Sequence, residues 1–176
     1  MIRGFEGKSP QVAALAFIDD SALVLGDVTI GEDSSVWPMA VVRGDVNRIS
    51  IGARTNIQDN SVLHVTHDGP YTPGGVPLIV GDDVTVGHNV ILHACTVGNR
   101  CLIGMGAIVM DKTVLEDEVF LAAGTLVPPG KRLRGGYLYR GNPAVEVRPL
   151  KQDELDNLSY SAQHYVRLKN RHLDRR

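Results

Sequence analysis

Residues 97–133 read VGNRCL IGMGAI VMDKTV LEDEVF LAAGTL VPPGKR L when divided every six positions, and the segments open on Val97, Ile103, Val109, Leu115, Leu121, Val127 and Leu133. Traced toward the N-terminus, the same step gives Ile18, Val24, Ile30, Val36 and Val42, then Ile51, Ile57 and Leu63, then Val80, Val86 and Leu92. The register slips after Val42, is interrupted after Leu63, and skips one residue between Leu92 and Val97. The next position is often glycine (Gly31, Gly52, Gly81, Gly87, Gly98, Gly104). Four residues after the aliphatic, a small or β-branched side chain recurs: Ala22, Val28, Ser34, Thr55, Ser61, Val90, Thr96, Ala107, Thr125.

A period of six matches neither an α-helix at 3.6 nor an isolated strand at 2. It matches short strands that each turn one aliphatic inward before a tight corner, where glycine relieves crowding. Hexapeptide repeats of this kind are a parallel β-helix signature. Coils would stack about 4.8 Å apart, with like aliphatics forming ladders along the axis. Ladders of branched aliphatics also account for a core in a chain that is only 5% aromatic. The periodicity does not give the handedness of the coil.

The 176 residues form a single expected domain, 1–176, with repeats over 18–133. Residues 1–17 are expected to cover one open end of the coil. Beyond Pro149, Leu155, Leu158, Ala162, Tyr165 and Leu168 are spaced as an amphipathic helix over 150–172, packed against the coil. Charged residues make up 22% and the net charge is −2, which argues against nucleic-acid binding. No segment has the length and apolarity of a membrane span, and the N-terminus lacks the apolar core of a signal peptide, so the expected location is cytoplasmic. Cys95 and Cys101 are too few to staple a fold of this size and are expected to be inert.

Departures from a strict repeat are where function is expected. The first contains Arg43-Gly44-Asp45-Val46-Asn47-Arg48; the second, between Leu63 and Val80, is a Gly- and Pro-rich surface excursion. His64 and His93 each follow an inward aliphatic, so strand alternation turns both imidazoles outward. They are 29 residues apart, which is one coil of 18 plus an excursion of 11, and would therefore stack on adjacent coils. His88, two residues past Val86, should diverge from them on a convex coil. The three converge most simply if His88 comes from a neighbouring subunit of a cyclic oligomer. His67 is read as a solvated residue of the excursion.

Arg43-Gly44-Asp45, Asn56-Ile57-Gln58-Asp59, His64, Gly87-His88 and His93, together with the aliphatic ladder and terminal helix, resemble the γ-class carbonic anhydrases over nearly the whole chain. In particular they resemble the short bacterial branch that lacks the acidic loop. The resemblance implies a left-handed parallel β-helix, all-β apart from the C-terminal helix, assembled as a homotrimer with interfacial metal sites. It implies His64, His88 and His93 as metal ligands, and an amide of Gln58 directed at the hydroxide or substrate. It further implies an Arg43–Asp59 ion pair bracing the site and Asp45 in the interface network. The expected cofactor is Zn2+, with Fe2+ or Co2+ also compatible with imidazole ligands.

The expected activity is hydration of CO2 to bicarbonate by a metal-bound hydroxide. The family's best-studied type has a glutamate directly after the aspartate, for proton export; here that residue is Val46, and the excursion from Val65 to Pro77 has no Glu. Fast hydration needs the proton removed at each turnover, so the site would be intact but slow unless His67 or Asp68 substitutes. Two other readings remain open from sequence: a metal-dependent acyl-CoA thioesterase, and a non-catalytic trimeric scaffold subunit.

Overall fold

The computed structural model describes residues 1–174. It is a left-handed parallel β-helix, three-sided in section, with one long helix, Gln152–Leu173. One face stacks Val62–His64, Ile91–His93, Ile108–Val109 and Leu126–Val127; the second stacks Leu78–Val80, Thr96–Val97, Val114–Leu115 and Arg132–Leu133. Two long strands, Leu23–Ile30 and Val41–Ile51, bend across the corner between these faces and join them into one sheet of twelve strands. The third face is a separate sheet of eight, from Phe17–Ile18 to Tyr137–Arg140 and Val145–Pro149.

The register turns the sequence repeat into three inward ladders. Val24, Val42, Leu63, Leu92, Val109 and Val127 line the first face. Ile30, Ile51, Val80, Val97, Leu115 and Leu133 line the second, and Ile18, Val36, Ile57, Val86, Ile103, Leu121 and Tyr139 the third. All but Ile18 are buried. Each side chain of this kind contributes about 1.5–3 kcal/mol by leaving water. Even the corner amides are paired from coil to coil, as in Trp37 N–H to Ile57 C=O at 2.9 Å and Gly52 N–H to Val80 C=O at 2.9 Å.

The corner residues explain the secondary features of the repeat. At Gly52 a Cβ would come within 2.6 Å of the Gly81 carbonyl on the next coil, so glycine is required by close approach. The small residues four positions after the aliphatic fill the corners, and their hydroxyls reach the next coil: Ser34 to Gly52 C=O at 2.6 Å, Thr55 to Gly81 C=O at 2.8 Å, Ser61 to Gly87 C=O at 2.9 Å. Thr96 departs from the expectation. The one-residue deletion after Leu92 moves Cys95 into the buried corner and leaves Thr96 only half-buried.

Residues 1–17 cover the N-terminal end by winding as a further coil: Ile2–Arg3, Gln11–Val12 and Phe17–Ile18 all pair in parallel with the following coil. The terminal helix likewise covers a side. Its 22 residues span ~33 Å, the depth of about seven coils. The outward row of the third face carries small polar residues where the helix lies: Ser35, Asn56 and Thr85, with Thr85 Oγ1 2.9 Å from Ser161 Oγ. Leu158 and Ala162 are buried as the spacing predicts. Lys169 is also buried, a cation on the inner side of the helix, and pairs with Asp33 at 2.8 Å. No helix among the described residues is long and apolar enough to cross a membrane.

Candidate metal centre

Both breaks in the repeat meet at one corner. In the first, Val41–Ile51 runs on as a single strand beside Leu23–Ile30, with its extra residues absorbed as a bulge opposite Gly26–Val28. Gly44 lies so close to the earlier coil that a Cβ there would stand 2.5 Å from the Asp27 carbonyl oxygen. Strand alternation sends Arg43 and Asp45 to the same side, and they form an ion pair. In the second break the chain leaves after His64 in a hairpin-like excursion, bridged at Thr66–Val76 and Gly69–Thr72, and returns at Leu78.

Because the excursion is looped out, His64 and His93 pair in register on adjacent coils. His64 Nδ1 faces His93 Nε2 at 3.2 Å. Each ring's other nitrogen meets a carboxylate: His64 Nε2 to Asp45 Oδ1 at 3.0 Å, and His93 Nδ1 to Asp111 Oδ1 at 2.7 Å. The second Asp111 oxygen accepts a hydrogen bond from the Thr66 hydroxyl. The result is a continuous line of polar groups, Arg43–Asp45–His64–His93–Asp111–Thr66. Burial pushes the Asp45 and Asp111 carboxyls up, but hydrogen bonds from Arg43 and His64, and from Thr66 and His93, outweigh it, and both sit below the usual carboxylate range. Burial also pushes the His64 imidazole down, opposed by its bond to Asp45, and the net displacement is downward.

The two imidazoles supply part of a donor set for a divalent ion. A carboxylate accepting from one imidazole nitrogen fixes the proton there, which leaves the other nitrogen with a free lone pair. In His64 and His93 those free nitrogens are the two that face each other. Two lone pairs opposed at 3.2 Å repel unless a cation or a shared proton lies near them. Two imidazole nitrogens at ~2.0–2.1 Å from a tetrahedral ion would be ~3.3 Å apart, close to the spacing found.

The remaining candidates stand on the other edge of the first face. His88 Nδ1 pairs with Asp59 Oδ2 at 2.8 Å, on the corner preceding that face. Gln58 is buried there and its Nε2 donates to Asn56 Oδ1 at 3.0 Å, while Asn56 Nδ2 donates to Thr85 Oγ1 at 3.1 Å. The expected Arg43–Asp59 ion pair is not formed within the chain. Arg43 lies within the long strand Val41–Ile51, just past its pairing with the first face at Val42, and Asp59 precedes a strand of that face; Arg43 pairs with Asp45 instead. Among the described residues, no three His, Cys, Asp or Glu side chains of one chain converge on a point.

Asp111 and Thr66 were not among the residues singled out from sequence. Asp111 lies 18 residues from His93, one position beyond the 17-residue register that pairs Leu92 with Val109, so coil arithmetic alone does not single it out. Nothing in the sequence marked Thr66. His67, with Lys8, Asp45, Asn47 and Asp68, lines a cavity of about 460 Å³ and is exposed, as read from sequence. Cys95 and Cys101 are buried free thiols; burial pushes both up, Cys101 to about 12, which leaves them unreactive.

Comparison with known proteins decides the lineage. The carbonic anhydrase of Geobacillus kaustophilus is 46% identical over 166 residues, covering 94% of this chain and 87% of that one. The chain belongs to the γ-class carbonic anhydrase-like family of hexapeptide-repeat proteins. Protein YrdA of Escherichia coli is 51% identical over 174 residues, covering 99% of this chain and 95% of that one. The mitochondrial γ carbonic anhydrase 2 of Arabidopsis thaliana is 44% identical, covering 94% of this chain and 59% of its own length. No family model matches the chain. Among solved structures, a hexapeptide transferase family protein from Anaplasma phagocytophilum superposes with a TM-score of 0.89 at 43% identity, covering 96% of each chain. A Bacillus cereus protein carrying an acetyltransferase designation superposes at 0.90 with 38% identity, covering 99% of this chain and 98% of that one. The family thus includes proteins named for two different chemistries on one scaffold, and the choice between them rests on the residues at the corner.

Proposed function

We propose that the chain is a metal-dependent carbonic anhydrase-like enzyme that hydrates CO2 to bicarbonate at sites shared between the subunits of a homotrimer. The observation that carries this reading is that His64 Nδ1 and His93 Nε2 face each other at 3.2 Å while the other nitrogen of each ring meets its own carboxylate. His64, His93 and His88 of an adjoining copy would hold the ion, with Zn2+, Fe2+ or Co2+ all suited to imidazole ligands. When bound, such an ion acidifies a coordinated water to a pKa of ~7, which supplies the nucleophile for CO2 at neutral pH.

The chain's own groups do the rest. Asp45 and Asp111 keep the ligand nitrogens unprotonated and aimed. Arg43 holds Asp45 ionised. Asp59 stands 2.8 Å from His88 Nδ1 and is the carboxylate partner of that imidazole. Gln58 lies beside Asp59 on that edge, with its amide nitrogen engaged by Asn56 within the chain.

The outward row of the first face supports the assembly. Leu23, Val41, Val62, Ile91, Ile108 and Leu126 form an apolar stripe between the His64–His93 edge and the His88 edge, with Val62 39% and Ile91 38% exposed. Packing such stripes around a three-fold axis would bring opposite edges of neighbouring copies together.

Three measurements test the reading together. Sedimentation should give three times the 19.1 kDa chain mass. Elemental analysis of anaerobically purified protein should find one divalent ion per chain. Stopped-flow CO2 hydration should be present in the wild type and absent in His93→Ala. A His93→Ala variant that loses its metal but keeps the wild-type rate overturns the assignment of the activity to this site.

A further inference from the structure

The excursion between His64 and Leu78 contributes one side chain to the line of polar groups, and it does so from a fixed backbone. Val65 is buried in the core, which anchors the start of the excursion. Thr66 exchanges two backbone hydrogen bonds with Val76, at 3.0 and 2.9 Å. Its carbonyl also accepts from Asn47 Nδ2 at 3.2 Å, and the same amide reaches Gly74 C=O at 3.5 Å. Gly75 closes this clamp at a positive φ of 63°, where a Cβ would sit 2.6 Å from Asn47 Nδ2. A hydroxyl held this way donates to Asp111 Oδ2, and the other oxygen of that carboxylate accepts from His93 Nδ1.

We propose that Thr66 and Asp111 are positioning residues for His93, so that the excursion, through the Thr66 hydroxyl, sets which ring nitrogen of His93 is left free to bind a cation. This rests on the metal-dependent reading of the site. A hydroxyl bond to one oxygen restrains rotation of the carboxylate and presents its other oxygen to the imidazole, which favours the proton on Nδ1 and orients the ring. Without the hydroxyl, the carboxylate can rotate and His93 can exchange its proton between nitrogens.

The test uses the full chain with Thr66→Val, which keeps the shape and removes the hydroxyl, and Thr66→Ser, which restores it. In metal-free protein, nitrogen-15 spectra of the histidines should show His93 as the Nδ1–H tautomer in the wild type and in Thr66→Ser, and as a mixture in Thr66→Val. Co2+ titration should show affinity reduced by ~10-fold in Thr66→Val and recovered in Thr66→Ser, by the usual weight of a group that orients a ligand. Asp111→Asn should weaken Co2+ binding at least as much. A Thr66→Val protein with wild-type His93 tautomer and wild-type Co2+ affinity overturns the inference. Failure of the wild type itself to bind Co2+ would instead sink the metal reading, and the tautomer spectra would still decide the role of Thr66.

Discussion

His64 and His93, 29 residues apart in sequence, stand in register on adjacent coils with their facing ring nitrogens 3.2 Å apart. Neither residue would sit beside the other in an unbroken repeat of 18. The excursion removes its residues from the coil without disturbing the stacking of Leu63 on Leu92, and that places the two imidazoles together.

Replacing Asp45 by Asn should weaken Zn2+ binding by ~10–100-fold while leaving the fold intact. An amide can donate to His64 Nε2, which would move the ring proton to the nitrogen that faces His93. Competition with a chromophoric chelator measures the change; unaltered affinity would show that Asp45 does not orient the ligand.

Gly44→Ala should destabilise the protein by about 1–3 kcal/mol, because the new methyl must displace the Asp27 carbonyl of the neighbouring strand. Urea denaturation gives the cost directly. Since Arg43 and Asp45 flank this glycine, metal affinity should fall with it.

Leu92→Ala should cost about 2–5 kcal/mol, the range for deleting a buried leucine from a packed ladder. Val62→Ala, on the outward side of the same face, should have little effect on chain stability and should instead lower the oligomeric mass at low concentration. If both variants behave alike, the outward stripe is not an interface.

Acid should loosen the terminal helix. Arg148 makes a two-point ion pair with Glu154 at 2.7 and 2.8 Å, and the Lys151 amide donates to the same carboxylate at 2.9 Å. The Arg148 bonds, then the Lys151 amide, pull the Glu154 carboxyl from 4.5 to about 2. A depressed folded value means that this contribution is complete above pH 4.5 and is lost as the pH falls toward 2. Glu154→Gln should therefore flatten that part of the acid unfolding curve followed by circular dichroism, and an unchanged acid limb would contradict the assignment.

The pair between Lys169 and Asp33 should respond asymmetrically. Asp33→Asn leaves a buried ammonium without its counter-charge, whereas Lys169→Met removes the charge and fills the space. The first should lower the melting temperature by several degrees and the second should change it little. Equal losses would mean that the ion pair itself carries the stability.

The solenoid was legible because the repeat is a property of single positions: one aliphatic every six residues already states the three ladders. The pairing of His64 with His93 was legible for the same reason, as coil arithmetic. What escaped the sequence depends on contacts between segments that follow no repeat. Thr66 meets Asp111 across 45 residues, through an excursion whose path no periodicity describes. The step of six places Thr96 at a corner because it does not reveal how a one-residue deletion is absorbed. The burial of Lys169 is not legible in sequence because a lysine on a helix is ordinarily solvated, and it is the position of Asp33 on the first coils that makes its burial possible.

The long helix has a mechanical consequence for the solenoid. A stack of coils in which each touches only its neighbours frays from its ends, and each lost coil exposes the next. Here Arg148 and Glu154 join the start of the helix to the last strands, while His172 packs on Phe17 and Lys169 on Asp33 near the first. The helix acts as a longitudinal staple that makes the two ends of a linear array open together. Amide hydrogen exchange at the first coils should therefore accelerate when the helix is cut short, even though those coils lie more than a hundred residues away in the chain.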